Sequence, residues 1–113
     1  MEHKGRKILY VDYRELGSRE ILQLISETID VVIASPRPVR LLGNIGDAWV
    51  SPAVMKEMKK LGGTILRQKL EKTAVVGVTG VMNVFFNAYV AVAGKDTVRK
   101  FPGEKEALDW LAE

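Results

Sequence analysis

Ala74-Val75-Val76-Gly77-Val78-Thr79-Gly80 is a short β-branched run that closes on Gly-Thr-Gly and passes directly into the apolar stretch Val81 to Ala93. A continuous hydrophobic run of this length, bounded by turn residues and followed by a helix-length segment, reads as a buried strand feeding a crossover helix. That places the chain in the α/β class. Working outward, Lys7 to Asp12 reads as a first strand. Leu16-Gly17 then turns into a helix with Ser18 as N-cap and Glu20 in its first turn. Ile21, Leu24, Ile25, Ile29 and Val32 recur at intervals of three and four and form its buried face. Pro36 and Pro38 end it, because proline cannot donate to the helical ladder and turns the preceding residue away from the helical region.

Val39 to Ile45 is the expected second strand, and Ser51-Pro52 marks the next helix start, a serine cap followed by proline in the first turn. Val54, Met55, Met58 and Leu61 give that helix its apolar side, and Gly62-Gly63 closes it. The third strand is expected at Thr73 to Thr79, the third helix at Val81 to Ala93 with Gly94 as its stop, and a fourth strand at Thr97 to Phe101. Pro102-Gly103 leads into a last helix, Glu104 to Leu111. Successive β-α units with right-handed crossovers predict a mostly parallel four-stranded sheet with helices packed on it. Strand order is not contained in periodicity.

The chain has 113 residues, 47% hydrophobic and 27% charged, without cysteine. That is one globular domain, 1–113, with residues 1–5 expected to fray. No apolar run approaches the roughly 20 residues of a membrane span. Met1 to Lys7 is polar and charged with no apolar segment behind it. A soluble cytoplasmic protein is the expectation. Without cysteine there is no disulfide, thiolate nucleophile or cysteine-bound zinc. Lys56, Lys59, Lys60, Arg67, Lys69 and Lys72 concentrate charge in one segment, but the net charge is only +3. No aromatic residue is interleaved for base stacking, so nucleic acid is not expected as a partner.

Ile8-Leu9-Tyr10-Val11-Asp12-Tyr13, Leu41-Leu42-Gly43-Asn44-Ile45, the Ala74 to Gly80 run, and Phe101 with Glu106-Ala107-Leu108-Asp109-Trp110-Leu111 together resemble the SpoIIAA-like group of STAS/SEC14-type domains. The resemblance covers the chain from Lys7 to Leu111 and implies a β-α superhelix serving as a regulatory or ligand-sensing module. It also implies a serine switched by phosphorylation at the start of the helix after a central strand. The equivalent place is the segment Trp49 to Val54, where Ser51 is the only hydroxyl. The family's Asp-Ser-Ser-Gly-like stretch is here Val50-Ser51-Pro52-Ala53, so Ser51 is read first as an N-cap.

In open α/β sheets ligands bind outside the carboxyl ends of the strands. Asp12, Tyr13, Asn44, Asp47, Trp49, Ser51, Thr79, Gly80 and Asn83 are therefore the candidate ligand-binding residues. Thr79 and Gly80, opening a helix, offer backbone donors to an anion. Asp12 and Asp47 lack the adjacent acidic pair and the late lysine of a receiver-type magnesium pocket, since position 13 is Tyr. No metal or cofactor is expected. His3 is the only histidine, which leaves no triad and no histidine metal site among core positions. The third helix is apolar nearly all round. Phe85, Phe86 and Tyr89 are its candidate interface residues, with Asn83 and Asn87 at the polar edge. The expected function is a non-catalytic regulatory or protein-interaction module, self-association included. The alternative is a sensor or carrier of a small anion, nucleotide or lipid, the last lined in part by Trp49.

Overall fold

The computed structural model describes residues 2–46, 53, 56, 60, 69–78, 82–93 and 97–113, the side chains of 18, 82, 85, 88, 89, 92 and 93 excepted. Of the expected second helix Ala53, Lys56 and Lys60 are described, each helical and exposed, while Ser51, Pro52, Val54, Met55, Met58, Leu61, Gly62 and Gly63 lie outside the described residues, as do Asp47, Trp49, Thr79, Gly80 and Gly94.

The chain opens with β1 (Glu2–His3) and β2 (Arg6–Lys7), an antiparallel pair. Residues 1–5 carried no sequence expectation beyond fraying. The turn between the strands is Lys4-Gly5, with φ of +51° and +79°, the doubly left-handed backbone of a two-residue hairpin turn. There follow β3 (Leu9–Asp12), α1 (Ser18–Ala34), β4 (Val39–Asn44), β5 (Leu70–Val76), α2 (Met82–Ala93), β6 (Val98–Phe101) and α3 (Glu104–Ala112). β5 begins three residues before the expected Thr73. Leu70 and Lys72 of its first part pair with Val39 and Arg40 of β4, and Glu71, the extra residue at the bulge between them, is held by an ion pair with Arg40.

β3 to β6 form one four-stranded sheet, parallel throughout, in the order β3-β4-β5-β6. Leu9 pairs with Leu41 and Asp12 with Asn44; Asn44 pairs in turn with Val76, and Val76 with Phe101. Alternation of side chains across the strands divides the core in two. On one face α1 buries Ile21 and Ile25 against Val11, Tyr13, Leu41 and Ile45. On the other, Ala107 and Leu111 of α3 close over Ile8, Leu42, Ala74 and Val76. Leu42, Ala74, Ala107 and Leu111 retain no accessible surface. Each buried leucine or isoleucine supplies about 1.5–3 kcal/mol, offset by the ordering of the chain.

The wide apolar arc of α1 exceeds what one sheet face covers, and Leu22, Val31 and Ile33 remain exposed. Both helices whose N-cap residue is described begin on glycine rather than on a capping side chain. Gly17 and Gly103 are extended at the N-cap, and Glu20 and Glu106, three residues on, fold their carboxylates back over them. Ser18, expected as the cap, is already the first helical residue.

Candidate functional site

The carboxyl ends of β3 and β4 bring together three of the sequence candidates, Asp12, Tyr13 and Asn44. Asp12 and Asn44 are register partners, and the Tyr13 backbone N–H donates to the Asn44 carbonyl at 2.8 Å. Their side chains part ways. Tyr13 belongs to the buried core with α1. Asn44 is buried on the α3 face, where its Nδ2 donates to the Tyr10 hydroxyl at 3.4 Å. Glu104, in the first turn of α3, faces the Tyr10 hydroxyl. Burial first, and the Glu104 carboxylate second, raise the Tyr10 pKa above the ordinary 10.0.

Asp12 is exposed and committed to Arg14. The Arg14 backbone N–H and Nε donate to one carboxylate oxygen at 3.0 and 2.9 Å, and Nη2 donates to the other at 2.8 Å. This fork holds the Asp12 carboxyl below its ordinary range. Glu104 was absent from the sequence candidates, whereas the strand-end rule places Arg14 beside Asp12 and Tyr13. Arg14 stands two residues beyond Asp12, within reach of a side chain turning back on its own strand end.

Asn83, on α2, accepts from Lys100 Nζ of β6 at 2.6 Å and stands apart from the Asp12–Asn44 pair in the chain order of the sheet. Phe86 is half-buried, Asn87 and Val84 are exposed, and Val84 keeps 66% of its surface. The Phe85 and Tyr89 side chains lie outside the described residues, as do Asp47, Trp49, Ser51, Thr79 and Gly80.

A second polar assembly lies at the amino end of the sheet, centred on Arg40, which is only 7% exposed. Its guanidinium grips Glu71 of β5 through Nε at 3.3 Å and Nη2 at 3.0 Å, while Nη1 donates to the carbonyls of Leu111 and, at 3.0 Å, Glu113. Lys72 Nζ donates to the Trp110 carbonyl at 3.1 Å and stands 5.0 Å from the Trp110 ring centroid, with Arg99 on the same ring at 5.4 Å. These cations satisfy the free carbonyls of the last turn of α3 and its negative dipole end. An arginine interrupting the apolar strand Val39 to Asn44 was the sequence signal for such an assembly.

Among the described residues no helix is long and apolar enough to cross a membrane, and no group of three or more acidic or histidine side chains is placed to hold a metal ion. Protein-family models, curated proteins and solved structures provide no match to the chain.

Proposed function

We propose that the chain is a non-catalytic regulatory or protein-interaction module of SpoIIAA-like type, its β-α units wound as a superhelix. The observation that carries this reading is the sequential, all-parallel order β3-β4-β5-β6. Each strand is added beside its predecessor in one direction. Right-handed crossovers then keep the connecting helices on one face, and the terminal helix is left to cover the other. α1 and α3 lie on opposite faces in just this way.

The binding surface of the module is the carboxyl edge at Asp12, Arg14 and Glu104, with Asn44 buried beneath it. A small anion finds little there, because Arg14 already has both Asp12 oxygens in its fork and Glu104 adds a further negative charge nearby. An exposed, internally paired acid–base couple suits a protein surface, where rim charges steer association and register.

Photo-crosslinking tests the proposal. A benzophenone amino acid at position 14, irradiated in the native host, is expected to give an adduct with a protein, a second copy of this chain included. Failure to trap any protein, combined with a small molecule retained in native mass spectra of protein purified from that host, would overturn the reading in favour of a carrier.

A further inference from the structure

The amino ends of β3 and β4 border a groove of about 1040 Å³, open to solvent, on the side of the sheet away from the Asp12–Arg14 edge. Its floor is apolar: half-buried Leu9 and Val39 from the strands, and Val31, Pro36 and Pro38 from the end of α1 and its exit. Val31 keeps half of its surface exposed although it sits on a helix with a complete core face on another side. Arg6, Lys7 and Arg37 stand along the rim, all three exposed, and none forms an ion pair among the described residues. The groove also contains Glu2 and the Arg40–Glu71 pair, which is internally neutral. Four cations, Arg6, Lys7, Arg37 and Arg40, against two carboxylates, Glu2 and Glu71, leave it positive, although Arg6 also acts on Glu71.

We infer that this groove docks a short extended segment of a partner protein in which acidic and apolar residues alternate. An extended chain sends successive side chains to opposite sides, so one set reaches the apolar floor while the other meets the cations. Long arginine and lysine side chains lie along apolar surface while presenting their charge above it. The groove is as large as the largest ordinary small-molecule pockets, roughly 1,000 Å³, and lacks their enclosure. Its concavity offers little contact to a flat bilayer. Pro36 and Pro38 stiffen one wall, which lowers the ordering cost of binding. The inference rests on the interaction-module reading for the kind of partner, but concerns a different surface.

Fluorescence anisotropy with a labelled synthetic peptide alternating Glu and Leu tests it on the full chain. The peptide is expected to bind, more weakly as salt rises, and to lose about tenfold in affinity to the variant carrying Lys7→Glu and Arg37→Glu. Glu2→Lys is expected to tighten it. All three positions are exposed, and circular dichroism verifies that the variants fold. Equal binding of a Lys-Leu peptide, or an unchanged affinity in the doubly reversed variant, overturns the inference. So does recruitment to phosphatidylserine vesicles through Lys7 and Arg37 without binding of the Glu-Leu peptide. Crosslinking from position 14 reads the opposite end of the sheet, so the two proposals fail separately.

Discussion

Gly77, just past the end of β5, lies directly against Gly46, just past the end of β4: a Cβ on Gly77 would stand 2.7 Å from the Gly46 Cα. Both have left-handed backbone, with φ of +90° and +44°. The approach follows from the ladder, which runs one step beyond the strands as the Ile45 N–H donates to the Val76 carbonyl at 2.9 Å. The carboxyl edge of the sheet is thus closed by backbone against backbone.

Gly77→Ala is therefore expected to destabilise the protein by more than its φ alone would cost. Gly5 is the internal control, since its φ is also positive, +79°, but nothing lies within 4 Å of a Cβ there. Gly5→Ala is expected to cost about 1 kcal/mol, and Gly77→Ala about 3 kcal/mol or more, because backbone cannot move aside as a side chain can. Urea denaturation of the two variants gives the comparison. Equal losses would show that the close approach contributes nothing.

Arg40 ties β4 to β5 and to the end of α3, whereas Glu71, its ionic partner, has a side chain 48% exposed. Arg40→Ala removes the guanidinium, its packed stem and the donors to two carbonyls, for an expected loss of about 3 kcal/mol. Glu71→Gln removes only a solvent-screened ion pair and is expected to cost below about 1 kcal/mol. Hydrogen bonding to Arg40 holds the Glu71 carboxyl below its usual 4.5. Its contribution is therefore whole above pH 4.5 and fades as the pH falls through the lower folded value. The stability difference between wild type and Glu71→Gln is expected to vanish on that acid limb, as read by urea midpoints at stepped pH.

Tyr10 accepts from Asn44 and faces Glu104, with the pKa raised above 10.0 mainly by burial and then by the Glu104 carboxylate. A proton held more tightly in the folded state stabilises it up to pH 10.0, and the gain is lost as the pH rises through the folded value. In absorbance titration Tyr10 is expected to ionise late, and Tyr10→Phe to remove its share of the late absorbance at a cost of about 1 kcal/mol. A late absorbance undiminished in the variant would overturn the assignment to Tyr10.

Elements whose signal is local were readable in the chain: the three- and four-residue spacing of Ile21, Ile25, Ile29 and Val32, the stop at Pro36, and the Pro102-Gly103 entry to α3 all coincide with observed boundaries. The start of β5 was not, because Glu71 and Lys72 look like loop residues until Arg40 and the Trp110 carbonyl are brought to them from 31 and 38 positions away. The sheet order was equally hidden, since pairing of β3 with β4 depends on no residue of β3 alone. At the candidate site Asp12 and Asn44 were readable from the strand-end rule, while Glu104 joins them only when α3 folds across the second face. The groove at the amino ends draws on residues from Glu2 to Glu71 and has no motif. The hairpin was available in principle from Lys4-Gly5, a glycine-containing two-residue turn between polar pairs, but neither strand carries the apolar alternation that makes such turns conspicuous.

That hairpin is fastened to α3 at one residue. His3 Nε2 donates to Asp109 Oδ1 at 2.8 Å, and Lys4 Nζ lies 3.2 Å from the same oxygen. These contacts hold the Asp109 carboxyl below its ordinary 3.8, so the fastening persists above that pH and weakens as the pH falls through the folded value. Two short strands with exposed or half-buried side chains have little else to order them. Asp109→Asn is therefore expected to speed amide exchange across residues 2–7 a few-fold while leaving the amides of β4 and β5 unchanged. Because β2 supplies Arg6 and Lys7 to the groove, the same variant is expected to weaken the Glu-Leu peptide although residue 109 does not line the site. Hydrogen exchange by mass spectrometry and anisotropy on one preparation decide it. Exchange that accelerates without loss of peptide affinity would mean that the rim cations act without the hairpin's order.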